Sequence, residues 1–306
     1  MASRLLLLDS ASLYYRAFFG VPDTLKAPDG TVVNALRGLL DFTSSLTAQY
    51  EPGLVVACWD DDWRPAWRVE LLPSYKEHRV VVVTPEGEPD AEETPDLLAP
   101  QVPLIAEGLG LAGVPVVGAA DHEADDVIGT LAERWAAQGR GPVDIVTGDR
   151  DLFQLVDDER GIRVLYTARG VSKHDVVDGA WIREKYGIDP AQYVDFAVMR
   201  GDASDGLPGV KGIGDKTAAA LLEEFADLDG ILAAAQDESS SIKPRVRASL
   251  LDSLDYIAAA REVVAVRRTL DLAEDLELGG VSPELDAFGE TWGLGSVVAR
   301  LKAAFA

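Results

Sequence analysis

The stretch LLLLD at residues 5–9 decides the fold, because four consecutive apolar residues lead directly into a carboxylate. A similar apolar run at 54–59 leads to Asp60, and Val143, Ile145 and Val146 lead to Asp149. Continuous apolar runs of this length are typical of strands that are buried on both faces of a parallel sheet. Because ligands bind beyond the carboxyl ends of such strands, we expect the three acidic side chains to point to one place.

Helical patterns lie between these runs and after them. The alternation predicts an α/β class, with a central, mostly parallel sheet flanked by helices over residues 1–180. Strand patterns become rare after that point, which predicts a helical region over 181–306. The segment 80–100 is dense in proline and acidic residues and is predicted to be a mobile excursion outside the core. The predicted helices cover 32–48, 100–109, 124–137, 181–186, 190–200, 216–225 and 248–267.

Composition limits the class of protein. The 306 residues are enough for about two domains. The 28 Lys and Arg residues against 52 Asp and Glu residues give a formal net charge of −24, which taken alone argues against a nucleic-acid partner. The single cysteine, Cys58, excludes an internal disulfide and suits a reducing compartment; it is expected to be buried on a strand. No apolar run is long enough to span a membrane, so we expect a cytoplasmic protein without a membrane partner.

Acidic residues form the most informative pattern. Besides Asp9 and Asp60, they occur in clusters at 123–126, 149–151 and 201–205. Each cluster alone is also compatible with helix caps and surface turns. Brought together by the fold, such carboxylates cannot all remain ionised without cations. The candidate metal ligands are Asp9, Asp60, Glu123, Asp125, Asp126, Asp149, Asp151, Asp202 and Asp205.

The type of ligand indicates the type of metal. Carboxylate oxygens favour Mg²⁺ or Mn²⁺, and His122 alone among many carboxylates does not make a zinc site. Two such ions about 4 Å apart would activate a water and stabilise the leaving oxygen of a phosphoryl displacement. The pattern therefore predicts phosphodiester hydrolysis.

The segment LPGVKGIGDKTA at 207–218 is rich in glycine. It lacks the G-x-G-x-x-G order of a dinucleotide site, and Asp215 separates Gly214 from Lys216, so it is not a Walker A loop. It predicts a tight hairpin that leads into the N-terminus of a helix, where backbone N–H groups can hold a phosphate. An ordinary turn between two helices is the alternative.

Basic side chains concentrate at residues 64–79. This stretch contains Arg64, Arg68, Tyr75, Lys76, His78 and Arg79. Basic residues interleaved with an aromatic suit a contact with nucleic acid, in which Tyr75 offers a stacking face. A solvated basic loop is the alternative.

These stretches together resemble the flap-endonuclease superfamily, in particular the 5′–3′ exonuclease that forms the N-terminal domain of bacterial DNA polymerase I and also occurs as free-standing proteins. Order and spacing match over about residues 4–225, and since no polymerase domain follows, we expect the stand-alone form. The matching stretches are LLLLDSASLYYRAF from residue 5, WD at 59–60, SYKEHR at 74–79, HEADD at 122–126, TGDRDLFQL at 147–155 and GDASDGLPGVKGIGDKTA at 201–218.

The resemblance implies a PIN-like 5′ nuclease fold and a role for each group of residues. A first metal ion would be held by Asp9, Asp60, Glu123 and Asp125, and a second by Asp126, Asp149, Asp151, Asp202 and Asp205. Lys76 and Arg79 would be catalytic, because they would steady the scissile phosphate electrostatically. A helical arch at about 64–100 would carry these two residues and admit the free 5′ strand.

The resemblance also implies the contacts with DNA. A helix-hairpin-helix motif at about 190–225 would grip the duplex backbone with the help of a K⁺ ion. The DNA-binding residues would be Tyr15, Arg16, Tyr75, Gly212, Gly214, Lys216 and Thr217. In one respect the chain departs from the family, because it has no Lys or Arg from 80 to 133 and its arch is crowded with Glu86, Glu88, Asp90, Glu92 and Glu93. We therefore expect a narrow basic track and DNA affinity that falls steeply with salt.

The expected activity is that of a metal-dependent, structure-specific 5′ nuclease. It would act as a monomeric 5′–3′ exonuclease and flap endonuclease on DNA with a flap, a nick or a free 5′ end, in primer removal and repair. RNA-containing 5′ strands are left open as substrates. The alternatives are a non-catalytic nucleic-acid-binding relative and a PIN-type RNase. The complete set of carboxylates argues against the first, and the hairpin motif against the second.

Overall fold

A six-stranded sheet forms the centre of the computed structural model, which describes residues 3–82, 91–273 and 276–305. The sheet order is β5-β2-β1-β6-β7-β8; only β8 runs antiparallel to its neighbour, and β3 and β4 form a separate antiparallel β-hairpin. The predicted α/β class with a mostly parallel sheet is confirmed. In chain order the strands are β1 (Leu5–Asp9), β2 (Leu54–Cys58), β3 (Val80–Val82), β4 (Ala91–Glu92), β5 (Val116–Val117), β6 (Val143–Thr147), β7 (Ile162–Tyr166) and β8 (Asp175–Val177).

Strand β1 is buried on both faces, as its apolar run predicts. Leu5 and Leu7 contribute to one hydrophobic core and Leu6 and Leu8 to the other, because successive side chains of a strand point to opposite faces. Cys58 at the end of β2 is also fully buried, as expected. The first polar residue of β1 is therefore at the carboxyl end of the strand.

Helices cover both faces of the sheet. They are α1 (Ser10–Gly20), α2 (Asn34–Tyr50), α3 (Ala66–Leu71), α4 (Gln101–Leu111), α5 (Ala124–Ala137), α6 (Gly179–Tyr186), α7 (Tyr193–Arg200), α8 (Asp215–Phe225), α9 (Leu228–Gln236), α10 (Pro244–Asp252), α11 (Leu254–Val264), α12 (Leu285–Thr291) and α13 (Gly295–Ala304). The single helix predicted over 248–267 is wrong, because Ser253 leaves the helical region with φ −108° and ψ 13° and divides it into α10 and α11. Among the described helices, none has both the length and the apolar character needed to span a bilayer.

The last two helices return to the α/β part of the molecule. α13 packs against α2, and α12 against α4. Arg300 Nε donates to Asp41 Oδ1 at 2.8 Å, and Arg37 Nη2 donates to Ser296 Oγ at 3.0 Å. The region predicted to be helical thus contributes to the core on both sides of the sheet.

The glycine-rich segment forms the predicted hairpin between α7 and α8. α7 ends at Arg200, and Gly201 follows with a φ of 78°. A Cβ at Gly201 would lie 2.6 Å from the backbone nitrogen of Gly209, so the two backbones can approach this closely only without a side chain. α8 begins at Asp215, which leaves its first backbone N–H groups at the end of the hairpin.

The segment predicted as a helical arch contains little helix where it is described. It consists of α3, a 3₁₀ turn at Glu77–Arg79 and the β3–β4 hairpin. The acidic residues Glu86, Glu88 and Asp90 lie outside the described residues. Leu98, near the end of this segment, is fully buried in the core beside α2, so the prediction that the whole of 80–100 is an excursion is wrong at its C-terminal end.

Gln101 connects α4 to the start of α2 from a fully buried position. Its Oε1 accepts hydrogen bonds from the backbone nitrogens of Ala35 and Leu36 at 2.9 and 3.1 Å. Its Nε2 donates to the carbonyl oxygen of Leu97 at 2.8 Å. One side-chain amide therefore satisfies groups that a helix N-terminus leaves unpaired.

We expect Gln101→Leu to lower the free energy of unfolding by about 2–4 kcal/mol, because it leaves backbone N–H groups of α2 buried without partners. Urea unfolding followed by circular dichroism measures the change. The exposed Gln236 provides the control, since Gln236→Leu should change the same quantity by less than about 0.5 kcal/mol. Equal losses in the two variants would contradict this role of Gln101.

Candidate active site

Asp9 is fixed at the carboxyl end of β1 by hydrogen bonds from two other segments. Its Oδ1 accepts from the backbone nitrogen of Ser12 at 3.1 Å, which makes Asp9 the N-cap of α1. Its Oδ2 accepts from Thr147 Oγ1 at 2.6 Å, at the end of β6. The same hydroxyl accepts a hydrogen bond from the backbone nitrogen of Asp149 at 2.8 Å. Thr147 therefore connects two of the predicted acidic residues, a role that sequence reasoning missed.

The remaining strand-end carboxylates are also positioned by backbone groups. Asp60 Oδ1 accepts from the nitrogen of Ala124 at 2.7 Å, so this residue sits at the start of α5. Asp149 Oδ1 accepts from the nitrogen of Asp151 at 2.8 Å. Asp125 lies in the first turn of α5, where the helix dipole favours negative charge.

These residues line one cavity of about 220 Å³ at the carboxyl ends of β1, β2 and β6. We call it the carboxylate cavity. The expectation that separate chain segments bring Asp9, Asp60 and Asp149 together agrees with this geometry. Its lining consists of Asp9, Ala11, Ser12, Tyr15, Asp60, Trp63, Lys76, Arg79, Glu92, Glu123, Asp125, Gly148 and Asp149.

Glu123 is the most strongly bonded carboxylate of the cavity. It forms an ion pair with Lys76 Nζ, accepts from Arg68 Nη1 at 3.0 Å and accepts from Tyr75 OH at 2.7 Å. Lys76 Nζ also donates to the carbonyl oxygen of Trp63 at 3.3 Å. The side chain that was expected to steady a phosphate is thus held by a protein carboxylate.

Of the second predicted metal group, Asp149 lines the cavity, whereas Asp151, Asp202 and Asp205 are not among its lining residues. Asp202 Oδ2 accepts from Arg150 Nη2 at 2.8 Å and from Arg200 Nη2 at 3.3 Å. Asp205 Oδ1 accepts from Arg79 Nη2 at 3.0 Å. Asp151 follows Asp149 and is buried. Arginine side chains therefore neutralise two of these three carboxylates.

Two predicted site residues face away from the cavity. Asp126 is fully buried, and its carboxylate accepts from Arg68 Nη1 and Nη2 at 2.9 and 2.8 Å and from the nitrogen of Arg267 at 2.8 Å, so it is directed to Arg68 rather than into the cavity. Tyr75 is 5 % exposed and part of the core, so its ring is covered by protein rather than presented as a stacking face. Arg64 and Arg68 are buried as well, although the stretch 64–79 reads as a basic surface.

The predicted DNA contacts occupy two separate places. Tyr15 lines the carboxylate cavity, and its hydroxyl group donates to Glu92 Oε2 at 3.3 Å. Arg16 Nη1, next to it on α1, donates to the carbonyl oxygen of Ala168 at 3.3 Å. The other four residues lie on the glycine-rich hairpin and the first turn of α8: Gly212, Gly214, Lys216 and Thr217.

Burial and mutual repulsion raise the pKa of most carboxylates at the site. Burial raises the pKa of Asp9 to about 6 and that of Asp60 to about 7, the latter with help from the Glu123 charge. Burial raises the pKa of Asp205 to about 6, and burial together with Asp149 raises that of Asp125. The same causes raise the pKa of Asp151. Negative charge at this edge of the sheet is therefore under-compensated by the protein.

Glu123 differs from Asp9, Asp60 and Asp125 in the direction of its pKa shift. Burial disfavours its ionised form, but the charges of Lys76 and Arg68 outweigh burial and lower its pKa. Glu123 is thus already neutralised by the protein, whereas Asp9, Asp60 and Asp125 are not.

The donor set at the cavity fits a hard divalent cation. Its acidic groups offer only oxygen, and their raised pKa values show that a further positive charge would be favourable. In the observed side-chain conformations, no three His, Cys, Asp or Glu residues within the described ranges are arranged to hold a metal ion. The ion pair with Lys76 accounts for part of this, because it directs Glu123 to the ammonium group.

Glu92 is a cavity residue that sequence reasoning did not place at the site. The sequence shows it only as one of several acidic residues that crowd the predicted arch. The β3–β4 hairpin brings its carboxylate into the cavity, next to Tyr15 and Arg79. No local signal predicts this position, since it depends on how the β3–β4 hairpin packs against the carboxylate cavity.

The chain matches models of a nuclease family over most of its length. Family models match both of its regions: the model described as 5'-3' exonuclease, N-terminal resolvase-like domain, covers residues 4–187, and the model described as 5'-3' exonuclease, C-terminal SAM fold, covers residues 188–284. The chain belongs to the 5′-3′ exonuclease family, which confirms the resemblance seen in its motifs.

Individual relatives agree with this assignment. A 5'-3' exonuclease of Streptomyces coelicolor is 55 % identical over 300 residues, which are 97 % of this chain and 98 % of the relative. A DNA polymerase I of Mycobacterium bovis is 35 % identical over 271 residues, which are 88 % of this chain but only 28 % of the polymerase. A structure of the bacteriophage T5 flap endonuclease, with DNA and metal ions, matches with a TM-score of 0.65 at 16 % identity, covering 99 % of this chain and 97 % of that one. This likeness shows a shared fold.

The raised pKa values predict that stability depends on pH when EDTA removes divalent cations. Asp9 and Asp60 keep their protons in the folded state up to about pH 6 and 7, whereas the ordinary carboxyl pKa is 3.8. The folded state therefore binds more protons in this window, and the free energy of unfolding should fall as the pH rises from about 4 to 7.

Urea unfolding in EDTA at several pH values measures this dependence. Asp60→Asn should make it shallower, because it removes one group with a raised pKa. Asp271→Asn, at an exposed position, is the matched control and should leave the slope as it is. A slope that is the same in Asp60→Asn and in the unaltered protein would contradict the prediction.

Proposed function

We propose that this chain is a divalent-metal-dependent, structure-specific 5′ nuclease that cleaves DNA near a 5′ end, as a 5′–3′ exonuclease and flap endonuclease. One observation carries the proposal: Asp9, Asp60, Asp125 and Asp149 line the same cavity as Lys76 and Arg79. Such a cavity offers carboxylates for cations and cations for a phosphate. Hydrolysis of a phosphodiester needs both.

Asp9, Asp60, Asp125 and Asp149 are the residues that would hold Mg²⁺ or Mn²⁺. Bound cations would neutralise these carboxylates and polarise the scissile phosphodiester. The related T5 flap endonuclease has been crystallised with metal ions, which supports this part of the proposal. Asp151, Asp202 and Asp205 would act around a second ion, with Arg150 and Arg200 already supplying positive charge to Asp202.

Lys76 and Arg79 would stabilise negative charge on the phosphate. Both line the carboxylate cavity and are held in place, Lys76 by Glu123 and Arg79 by Asp205. A fixed positive charge in a partly dry site stabilises developing negative charge without having to reorient. Glu123 and Tyr75 would position Lys76 rather than contact substrate.

The glycine-rich hairpin would hold the DNA backbone away from the reacting phosphate. Gly212 adopts a φ of 80° and nothing lies within 4 Å of where its Cβ would be, so the backbone is open to a ligand. Backbone N–H groups of the hairpin and of the first turn of α8 can bind phosphate without reading sequence. A K⁺ ion at the hairpin would assist, and the DNA in the complex of the T5 enzyme supports a nucleic-acid substrate.

Several finer points belong to the same proposal. The chain would act as a cytoplasmic monomer, with a nuclease domain at 1–180 and a DNA-binding helical region at 181–306. Its substrates would be flaps, nicks and free 5′ ends, with RNA-containing 5′ strands left open, and its role would be in primer removal and repair. A PIN-type RNase is the alternative, and an all-RNA 5′ strand cleaved faster than its DNA equivalent would favour it.

A flap duplex labelled at its 5′ end tests the reaction directly. With Mg²⁺ or Mn²⁺ we expect short labelled products, because cleavage occurs near the 5′ end, and EDTA should stop their release. A label at the 3′ end of the same strand should remain on a long product at early times. An intact flap with both metals present would overturn the proposed function.

Substitutions at the acidic groups test the assignment of residues. Asp149→Asn and Asp205→Asn should each lower kcat by about 10²-fold or more, because each loses a charge needed to hold cations. Binding of the same flap, followed by fluorescence anisotropy in EDTA, should stay within about threefold. Asp271→Asn serves as the exposed control, and near-normal rates in both test variants would refute the assignment.

A further inference from the structure

Unlike the carboxylates at the ends of the central strands, Glu92 is held by the small β-hairpin. It belongs to β4 of the β-hairpin and lines the carboxylate cavity with a side chain that is 21 % exposed. Its Oε2 accepts a hydrogen bond from Tyr15 OH at 3.3 Å, and its Oε1 lies 4.0 Å from Arg79 Nη1. It thus faces two of the groups expected to meet DNA.

The two terminal nitrogens of the Arg79 guanidinium group differ in their hydrogen bonds. Nη2 donates to the carbonyl oxygen of Ser204 at 2.6 Å and to Asp205 Oδ1 at 3.0 Å. Nη1 faces Glu92 at 4.0 Å, which is too long for a hydrogen bond. A phosphate oxygen could therefore take the Nη1 side of the guanidinium without breaking its stronger bonds.

The position of Glu92 allows its carboxylate to move without unfolding the hairpin. The backbone is held separately, since Glu92 pairs with Val80 across the β-hairpin and the nitrogen of Glu93 donates to the carbonyl oxygen of Arg79 at 2.9 Å. Rotation about the side-chain bonds is enough to turn the carboxylate away. Burial raises the pKa of Glu92 even though Arg79 opposes this, so the charged form is not strongly held where it is.

We propose that the Glu92 carboxylate occupies the place of a substrate phosphate at Arg79 and Tyr15, so that DNA must displace it to enter the carboxylate cavity. The proposal rests on the proposed function, because it takes the ligand to be the phosphate backbone of DNA. Glu92 then raises the binding free energy that a substrate must supply to enter the cavity. Only a substrate with enough further contacts, such as those at the glycine-rich hairpin, displaces it.

Glu92→Gln keeps the shape of the side chain and removes its charge. We expect it to tighten binding of a 5′-flap duplex by about two- to fivefold, the range for a partly exposed ion pair. Fluorescence anisotropy in EDTA measures this without cleavage. Glu93→Gln is the matched control, because Glu93 is an exposed neighbour whose removal changes the net charge equally; it should alter the affinity less than Glu92→Gln does.

A double-mutant cycle identifies the group for which Glu92 competes. In an Arg79→Gln background, Glu92→Gln should bring no further gain in affinity, because the guanidinium is absent. Glu92→Asp provides a second variant, since a shorter side chain withdraws the charge from Arg79 and should give a smaller gain. In Mg²⁺, Glu92→Gln should lower KM for the flap.

Three outcomes would overturn the proposal: weaker binding in Glu92→Gln, equal gains in Glu92→Gln and Glu93→Gln, or an undiminished gain in the Arg79→Gln background. The first would make Glu92 a support for the site, and the second would leave only a general charge effect. Failure of the unaltered protein to cleave the flap would instead be a failure of the proposed function, and the affinity ratios would still be readable.

Discussion

Mutual repulsion among buried carboxylates is the constraint on which this structure depends. Parallel strands that end at one edge of a sheet bring Asp9, Asp60 and Asp149 together whether or not their charges are compensated. Hydrogen bonds from fixed donors partly stabilise these carboxylates: the Thr147 hydroxyl group donates to Asp9, and the first N–H of α5 donates to Asp60. These donors orient the oxygens but leave the pKa values raised. The protein therefore leaves part of the negative charge at the site uncompensated, and a bound cation would neutralise it.

Sequence reasoning succeeded where the signal was local. An apolar run that stops at an acidic residue specifies both a buried strand and the position of its carboxylate, so Asp9, Asp60 and Asp149 could be placed before any coordinates. It failed where the fate of a side chain depends on distant neighbours. Arg68 looks like a surface base until Glu123 and Asp126 are seen around it. Asp126 looks like its neighbour Asp125, yet one helical step turns it from the cavity to this arginine.

The arch segment shows the same limit for whole elements. A likeness in motif at 74–79 suggested a helical arch, but the described residues around it form the short helix α3, a 3₁₀ turn and a β-hairpin. The motif fixes Lys76 and Arg79 beside the cavity in either case. The acidic residues of this segment can be counted from the sequence, but the directions of their side chains cannot be predicted from it. The fold alone determines that Glu92 points inward.

Arg68 links the chemistry to the architecture of the whole chain. It binds Glu123 and Asp126 at the site, and its Nε donates to the carbonyl oxygen of Val263 at the end of α11, at 3.1 Å. The two regions recognised by separate family models thus share one guanidinium. Exchange of the region 188–284 for an unrelated one would remove the Val263 carbonyl and leave the buried Arg68 Nε without this acceptor. Recombination between distant members of the family should therefore transfer both regions as a single unit.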